Sequence, residues 1–344
     1  MKRIMSKGTA SDHILLSHGS GGKLTHQLVE ELFVPYFRNP SLELLEDSTP
    51  FSAGEQRLVM TTDSYVVDPL FFPGGDIGSL AVSGTVNDLL AGGARPAYLS
   101  AGFILEEGLP LADLKRILAS MRDAAREAGV QIIAGDTKVV PRGAADKIFI
   151  TTAGVGYCRA HLTVGARSVT PGDVILLNGY LGDHGIAVMA EREGLRLPQE
   201  VVSDCAPLTG LLLPLFDAEL PLHALRDPTR GGLSATLNEI AQTAGVTIEI
   251  DESRLPVRTG VLAACEILGF DPLYLANEGK MLIFLPESRA EQALELLRAH
   301  PLGQEARQIG RVMERGRPQV RLLTEIGGRR ILDMPLAEQL PRIC

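Results

Sequence analysis

Apolar residues recur along this chain in two rhythms, and the switch from one to the other marks its elements. Leu111, Leu114, Ile117, Leu118, Met121, Ala124 and Ala125 fall at helical spacing and predict the clearest helix. Residues 78–91 carry Leu80, Ala81, Val86, Leu89 and Leu90 and predict a second helix, which holds Asn87 and Asp88. An amphipathic stretch over residues 24–33 follows a Gly/Ser-rich run. Short apolar runs predict strands over residues 58–62, delivering Asp63 at the end, over 97–105, over 130–134, running into Gly135-Asp136-Thr137-Lys138, and over 147–155. Past the Pro171-Gly172-Asp173 turn, strands are expected at 174–177, 246–250, 280–285, 307–313 and 319–323. Helices are expected at 183–193, 204–216, 231–244, 259–268 and 288–299. Helices and strands are segregated rather than strictly alternating, which predicts an α/β chain of the α+β kind in two domains. The expected divisions are a Gly-rich loop and helix over 1–45, a first domain over 46–160, a second over 170–333 and a flexible tail over 334–344.

At 344 residues there is enough chain for two cores of ordinary size. The 45% hydrophobic and 22% charged residues are normal for a soluble globular protein. A net charge of −9 argues against a nucleic-acid or anionic-membrane partner, since both require basic patches. Cys158, Cys205, Cys265 and Cys344 are scattered, with no CxxC pair, so neither a zinc site nor a disulfide framework is expected. No signal peptide and no apolar run of membrane-spanning length is found, and a reducing cytoplasm is the expected setting.

The candidate chemistry is acidic. Asp63, Asp88, Asp136 and Asp227 stand at or near element ends beside Gly, Asn and Thr, and Asp47 extends the set. Carboxylates converging on a crevice suit magnesium carrying nucleotide phosphates, although any one Asp taken alone is more often a turn or cap residue. Gly19-Ser20-Gly21-Gly22-Lys23 fails both the Walker and the dinucleotide patterns. It reads either as an anion-binding loop or as a flexible linker. Lys138 and Glu278 sit in Gly-flanked turns, where charges usually face solvent, but as a pair in a cleft they could move protons. The seven histidines show no metal-ligand spacing. The chain closes on Pro341-Arg342-Ile343-Cys344. A terminal thiol is either an accident of the chain's end or a nucleophile on a tether.

The runs SHGSGGK, TTDS, NDLLAGGARP, AGDTKVV, RDPTRGGL and ANEGK, closed by PRIC, resemble the HypE family of hydrogenase maturation proteins over nearly the whole chain. That family is similar to aminoimidazole ribonucleotide synthetase, and the PRIC tail separates it from its superfamily relatives. The resemblance implies a two-domain PurM-like fold, with an N-terminal mixed-sheet domain completing a barrel in a homodimer, a C-terminal α/β domain and a mobile tail. It implies ATP and Mg²⁺ as cofactors, with Asp63, Asp88 and Asp227 as metal-binding residues, Asp47 beside them, and Gly19, Gly21, Gly22, Lys23, Asn87, Asp136 and Thr137 near the nucleotide. Cys344 would receive a carbamoyl group from the carbamoyltransferase HypF, and ATP would drive its dehydration to a thiocyanate, with Glu278 and Lys138 moving protons. The cyano group would pass to iron on a HypC–HypD scaffold for NiFe hydrogenases. The competing readings are a superfamily kinase or ligase acting on a free small molecule, and a nucleotide-responsive scaffold that exposes its tail without chemistry.

Overall fold

The computed structural model describes residues 14–15, 18, 22–37, 39, 45–159, 162–198, 200–336 and 342–344. The chain enters through a helix, α1 (Lys23–Leu28), which runs through a wider turn over Val29–Phe33 into α2 (Val34–Phe37). The first half then gives β1 (Thr49–Ala53), β2 (Gln56–Tyr65), the short pair β3 (Phe71–Phe72) and β4 (Gly75–Asp76), and α3 (Ile77–Ala91). It continues with β5 (Ala94–Glu106), α4 (Leu111–Ala128), β6 (Gln131–Val140) and β7 (Ile148–Cys158). The long strands form one open sheet in the order β1-β2-β7-β5-β6, all neighbours antiparallel except β5 and β6. No barrel closes among the described residues of this single chain.

α3 is apolar on nearly every side, the pattern of a helix buried all round. Asp76 starts it with a capping box: its carboxylate accepts from Gly78 and Ser79 N–H while Ser79 Oγ accepts from Asp76 N–H. α3 and α4 cover one face of the sheet, and the other face leaves Met60, Tyr98, Ile104 and Tyr157 exposed.

The second half gives β8 (Asp173–Leu177), α5 (Asp183–Glu193), α6 (Thr209–Asp217), β9 (Ala224–Arg226), α7 (Gly232–Ala244), β10 (Val246–Asp251) and α8 (Thr259–Leu268). It ends with β11 (Leu282–Pro286), α9 (Ala290–Arg298), β12 (Arg307–Arg315), β13 (Gln319–Leu323) and β14 (Arg329–Ile331). The sheet order is β14-β13-β10-β12-β8-β11-β9. One apolar cluster fills the space beneath α7, and a larger one runs from the first sheet through α3 to α6 and α9, so the two halves share a continuous core.

Three expectations change. The helix expected over 204–216 begins only at Thr209, because Leu208 N–H is spent on Asn87 Oδ1 and the Asp204 carboxylate on Glu278 N–H. Gly135-Asp136-Thr137-Lys138 does not follow a strand but lies inside β6, where those residues pair with Ala101-Gly102-Phe103-Ile104 of β5. Asp63 likewise sits two residues before the end of β2 rather than beyond it.

Candidate functional site

β2 and β7 pair Asp63 with Thr152, and β5 continues the row with Ala101, both of them buried against α3. Alternation along the strand therefore sends Asp63 to the covered face. There the Tyr65 hydroxyl donates to Asp63 Oδ2 at 3.3 Å, and the Thr61 hydroxyl lies 2.8 Å from Asp88 Oδ2 near the end of α3. Asp227 follows β9 from the second half and is buried. Arg226, its neighbour, reaches Asp47 Oδ1 through Nε at 2.7 Å and Glu239 Oε2 through Nη2 at 2.7 Å. His26 on α1 meets the other oxygen of Glu239 at 2.7 Å.

These residues wall a cleft of about 450 Å³ between α1, β2, β9 and α7, lined among others by Thr25, His26, Asp47, Thr62, Arg226, Asp227 and Glu239. A recess of about 50 Å³ opens beside it, sharing Asp227, Thr229 and Arg230 and adding Asp63, Tyr65, Asp88, Glu278 and Cys344. Burial pushes the Asp88 carboxyl well up, and the charges of Asp63, Asp227 and Asp47 push it further. Asp227 rises to about 6, chiefly through burial; Arg226 opposes the rise and Asp63 adds to it. Asp47 is raised in the same way, by burial first, against the pull of Arg226. Among the described residues no three acidic, His or Cys side chains converge into a ready-made metal cage. Facing carboxylates that raise one another's proton affinity are nevertheless a hard-oxygen donor set, and magnesium on a nucleotide needs only one or two such ligands beside phosphate and water.

Glu278 is 3% exposed, and among the described residues its Oε1 has no hydrogen-bond partner. Burial raises its pKa well above the ordinary carboxylate range, and Asp227, Asp204 and Asp63 add to the rise. Its position is fixed from three sides. Asp204 Oδ1 accepts its N–H at 3.0 Å, Asn87 Nδ2 donates to its carbonyl at 3.2 Å, and Lys280 Nζ pairs with Asp204 Oδ2 at 2.9 Å. Gly279 is required next to it, since a Cβ there would stand 1.8 Å from the Asp204 carbonyl oxygen.

The end of the chain is turned inward. Val66 N–H donates to the main-chain carboxylate oxygen of Cys344 at 3.1 Å, Asp68 N–H to the Arg342 carbonyl at 3.3 Å, and His184 Nε2 to the Ile343 carbonyl at 2.9 Å. Ile343 is 1% exposed and belongs to the main apolar cluster. Cys344 thus lies with Glu278 in the small recess.

The structure brings together Asp47, Asp63, Asp88, Asp227, Glu278 and Cys344 around these two adjoining cavities. Asn87 is buried and spends its amide on Ala206, Leu208 and Glu278, so it braces the site rather than lining it. Gly22 packs beneath the Pro335 carbonyl, which accepts the Lys23 N–H at 3.1 Å; the Lys23 side chain is exposed. Gly19 and Gly21 lie outside the described residues, as do Pro341 and the polar 337–339 expected to let the tail swing.

Asp136, Thr137 and Lys138 are not at the site in this chain. Asp136 stands in register with Gly102, Thr151 and Ser64, one residue off the row of Asp63, so its side chain points to the opposite face of the sheet. Lys138 pairs with Asp136 Oδ2 at 2.7 Å in the open, three strands away from β2, or about 14 Å across the sheet. The reading from sequence passed over His26, Arg226, Glu239, Asp204, His184 and Tyr65. Lys280 and Arg226 sit inside the quoted ANEGK and RDPTRGGL runs, but their partners are distant in sequence.

Profiles of two domain families match the chain: the N-terminal domain of AIR synthase related proteins over residues 46–158, and their C-terminal domain over residues 170–323. A carbamoyl dehydratase HypE of Cupriavidus necator is 52% identical over 336 residues, covering 97% of this chain and 95% of that protein. A crystal structure of HypE in complex with ATP matches with a TM-score of 0.82 at 51% identity, over 96% of this chain and 100% of that one. A crystal structure of a HypE–HypF complex matches with a TM-score of 0.85 at 47% identity, over 90% of this chain and 99% of that one.

Proposed function

Because the chain belongs to the AIR synthase related family, and within it to the HypE carbamoyl dehydratases, we propose that it dehydrates a carbamoyl group carried on its own Cys344 sulfur to a thiocyanate. The observation that carries this reading is the shared recess of Cys344 and Glu278, which opens directly onto a nucleotide-sized cleft. An enzyme acting on a free small molecule would have no use for its own terminal thiol at that place. ATP supplies the phosphoryl group that turns the carbamoyl oxygen into a good leaving group. When that oxygen departs as phosphate, two N–H protons must leave for the carbon–nitrogen triple bond to form.

Glu278 is the acceptor for one of them. A carboxylate removed from water is a much stronger base than an exposed one, and its Oε1, unpartnered among the described residues, is available to an N–H. Asp63, Asp88 and Asp227, with Asp47 beside them, would hold Mg²⁺, which neutralises phosphate charge in the cleft. The small recess, filled by the seated tail, keeps bulk water from the activated group.

The loading partner is HypF, and the product passes to a HypC–HypD scaffold for cyanide delivery to hydrogenase iron. The setting is the cytoplasm, and no described helix is long and apolar enough to cross a membrane. The active form is a homodimer built on the open sheet. Lys138 stands too far across that sheet to serve the recess of its own chain, so a role in proton transfer requires the second copy to present it.

The test is intact-mass analysis of the C-terminal peptide after incubation with HypF, carbamoyl phosphate and ATP. The expected product is Cys344 carrying a carbamoyl group less one water, absent without ATP and absent in Cys344→Ala. A Cys344→Ala chain that still dehydrated carbamoyl groups at the parent rate would end this reading.

A further inference from the structure

A tether needs only length and flexibility to bring a thiol to a cleft, because a linked group is already at an effective millimolar concentration. The tail is held by far more than that. Cys344 and Arg342 take the N–H groups of Val66 and Asp68, two residues apart, so the tail runs antiparallel to residues 66–68 just beyond β2, with Arg342 in the left-handed region at φ 54°. Arg192 on α5 binds both partners: Nε donates to the Asp68 carbonyl at 2.8 Å, and Nη2 to the Arg342 carbonyl at 2.7 Å. His184 is fully buried, with its ring edge-on to Phe72. Its Nδ1 lies 2.8 Å from the Ser203 hydroxyl, whose oxygen also accepts Cys205 N–H at 3.1 Å. The Ser203 proton is thereby directed at Nδ1, which leaves Nε2–H for the Ile343 carbonyl.

Side chains are read as well. Ile343 fills an apolar socket at 1% exposure. Arg342 reaches Asp146 Oδ2 at 2.5 Å and Asp68 Oδ2 at 3.3 Å. A buried histidine committed to a main-chain carbonyl, an apolar socket and two carboxylates on one guanidinium make a built peptide site.

We infer that the groove between the end of β2 and α5 is a peptide-recognition site that identifies an Arg-Ile-Cys end by side chain and main chain together, and therefore accepts such an end from an unattached peptide. The inference rests on the reading of Cys344 as the carried substrate, but binding can be measured without ATP, carbamoyl group or partner protein.

The experiment uses the full chain carrying Ile343→Asp, whose own tail cannot enter the socket. Fluorescently labelled Arg-Ile-Cys with a free carboxyl end is titrated in reducing buffer and followed by anisotropy. Saturable binding is expected, weakened by about tenfold or more for Arg-Ala-Cys, because the socket then lacks its apolar occupant. Binding to the unsubstituted chain should be weaker by a similar factor, since its own tail competes, and adding His184→Ala to Ile343→Asp should abolish it. If Ile343→Asp unfolds the chain by circular dichroism, Ile343→Gly vacates the same socket without a buried charge and is read in the same way. No saturable binding up to millimolar peptide by a folded variant, or equal binding of Arg-Ala-Cys, overturns the inference. Either outcome leaves the dehydration assay above unaffected, so the two readings fail separately.

Discussion

Glu278 is the residue on which the chemistry turns, and its environment sets a measurable pH signature. Burial raises its pKa first, and the charges of Asp227, Asp204 and Asp63 raise it further. It must be ionised to accept an N–H proton, so the dehydration rate should climb with pH through an apparent pKa above the ordinary carboxylate range. Glu278→Gln should erase that limb and cost about a hundredfold or more in kcat, with ATP affinity by calorimetry nearly unchanged. A variant that kept the limb would move the base elsewhere. The residue type was legible from the ANEGK run, but its burial was not. Acids in Gly-flanked turns usually face water; this one is covered because Asn87, Asp204 and Gly279 pin its backbone, and those contacts span up to 191 residues. Asp47, Asp63, Asp88 and Asp227 were legible as a group because each lies near an element end or on a recognisable run. Lys138 was read into a turn because a strand continuing through Gly135 looks, in sequence, like a strand that has stopped.

At the scale of elements, α1 forms one wall of the cleft, and the His26–Glu239 pair joins it to α7. The Glu239 hydrogen bond raises the His26 pKa above 6.5 against the cost of burial; Glu239 and Glu30 add to the rise through their charge, and Arg226 opposes it. A raised folded-state value means that this stabilisation is fully present below about pH 6.5 and is lost as pH rises through the higher folded value. Nucleotide affinity, measured by calorimetry, should therefore weaken modestly from pH 6 to 8. His26→Ala should bind ATP about threefold more weakly at pH 6 and show little of that dependence, a size suited to a partly exposed pair. Equal affinity of variant and parent at pH 6 would show that α1 closes the cleft without this contact. The element itself was visible as an amphipathic stretch, whereas its distant partner was not. The segment over 204–208 teaches the same lesson from the other side: its apolar spacing suggests helix, but Pro207 disfavours helical backbone at Ala206. Asp204 is then drawn off by Lys280, and Leu208 by Asn87.

For the whole molecule, the open sheet is the unresolved surface of a single chain. β6 is its edge, exposed from Gln131 to Val139, with Ile133 at 63% and Val139 at 68% exposure. Met60, Tyr98 and Ile104 continue an apolar area over the uncovered face. A long edge strand with apolar side chains and unpaired main-chain groups is a surface that soluble proteins cover or blunt, and β6 bears only one charged pair, Asp136 with Lys138. A second copy meeting β6 would bury these side chains and place Asp136, Thr137 and Lys138 at the junction. Light scattering is therefore expected to give a dimer mass for the unsubstituted chain. Ile133→Lys, which puts a charge into the junction, should shift it toward monomer while the helical circular dichroism signal stays, because β6 has no core role to lose. Ile117 and Met121 of α4 pack against the covered face instead, and both are buried within one chain. If Ile133→Lys remains a dimer at micromolar concentration, the second copy lies on another surface, and Lys138 is then left with no route to a recess.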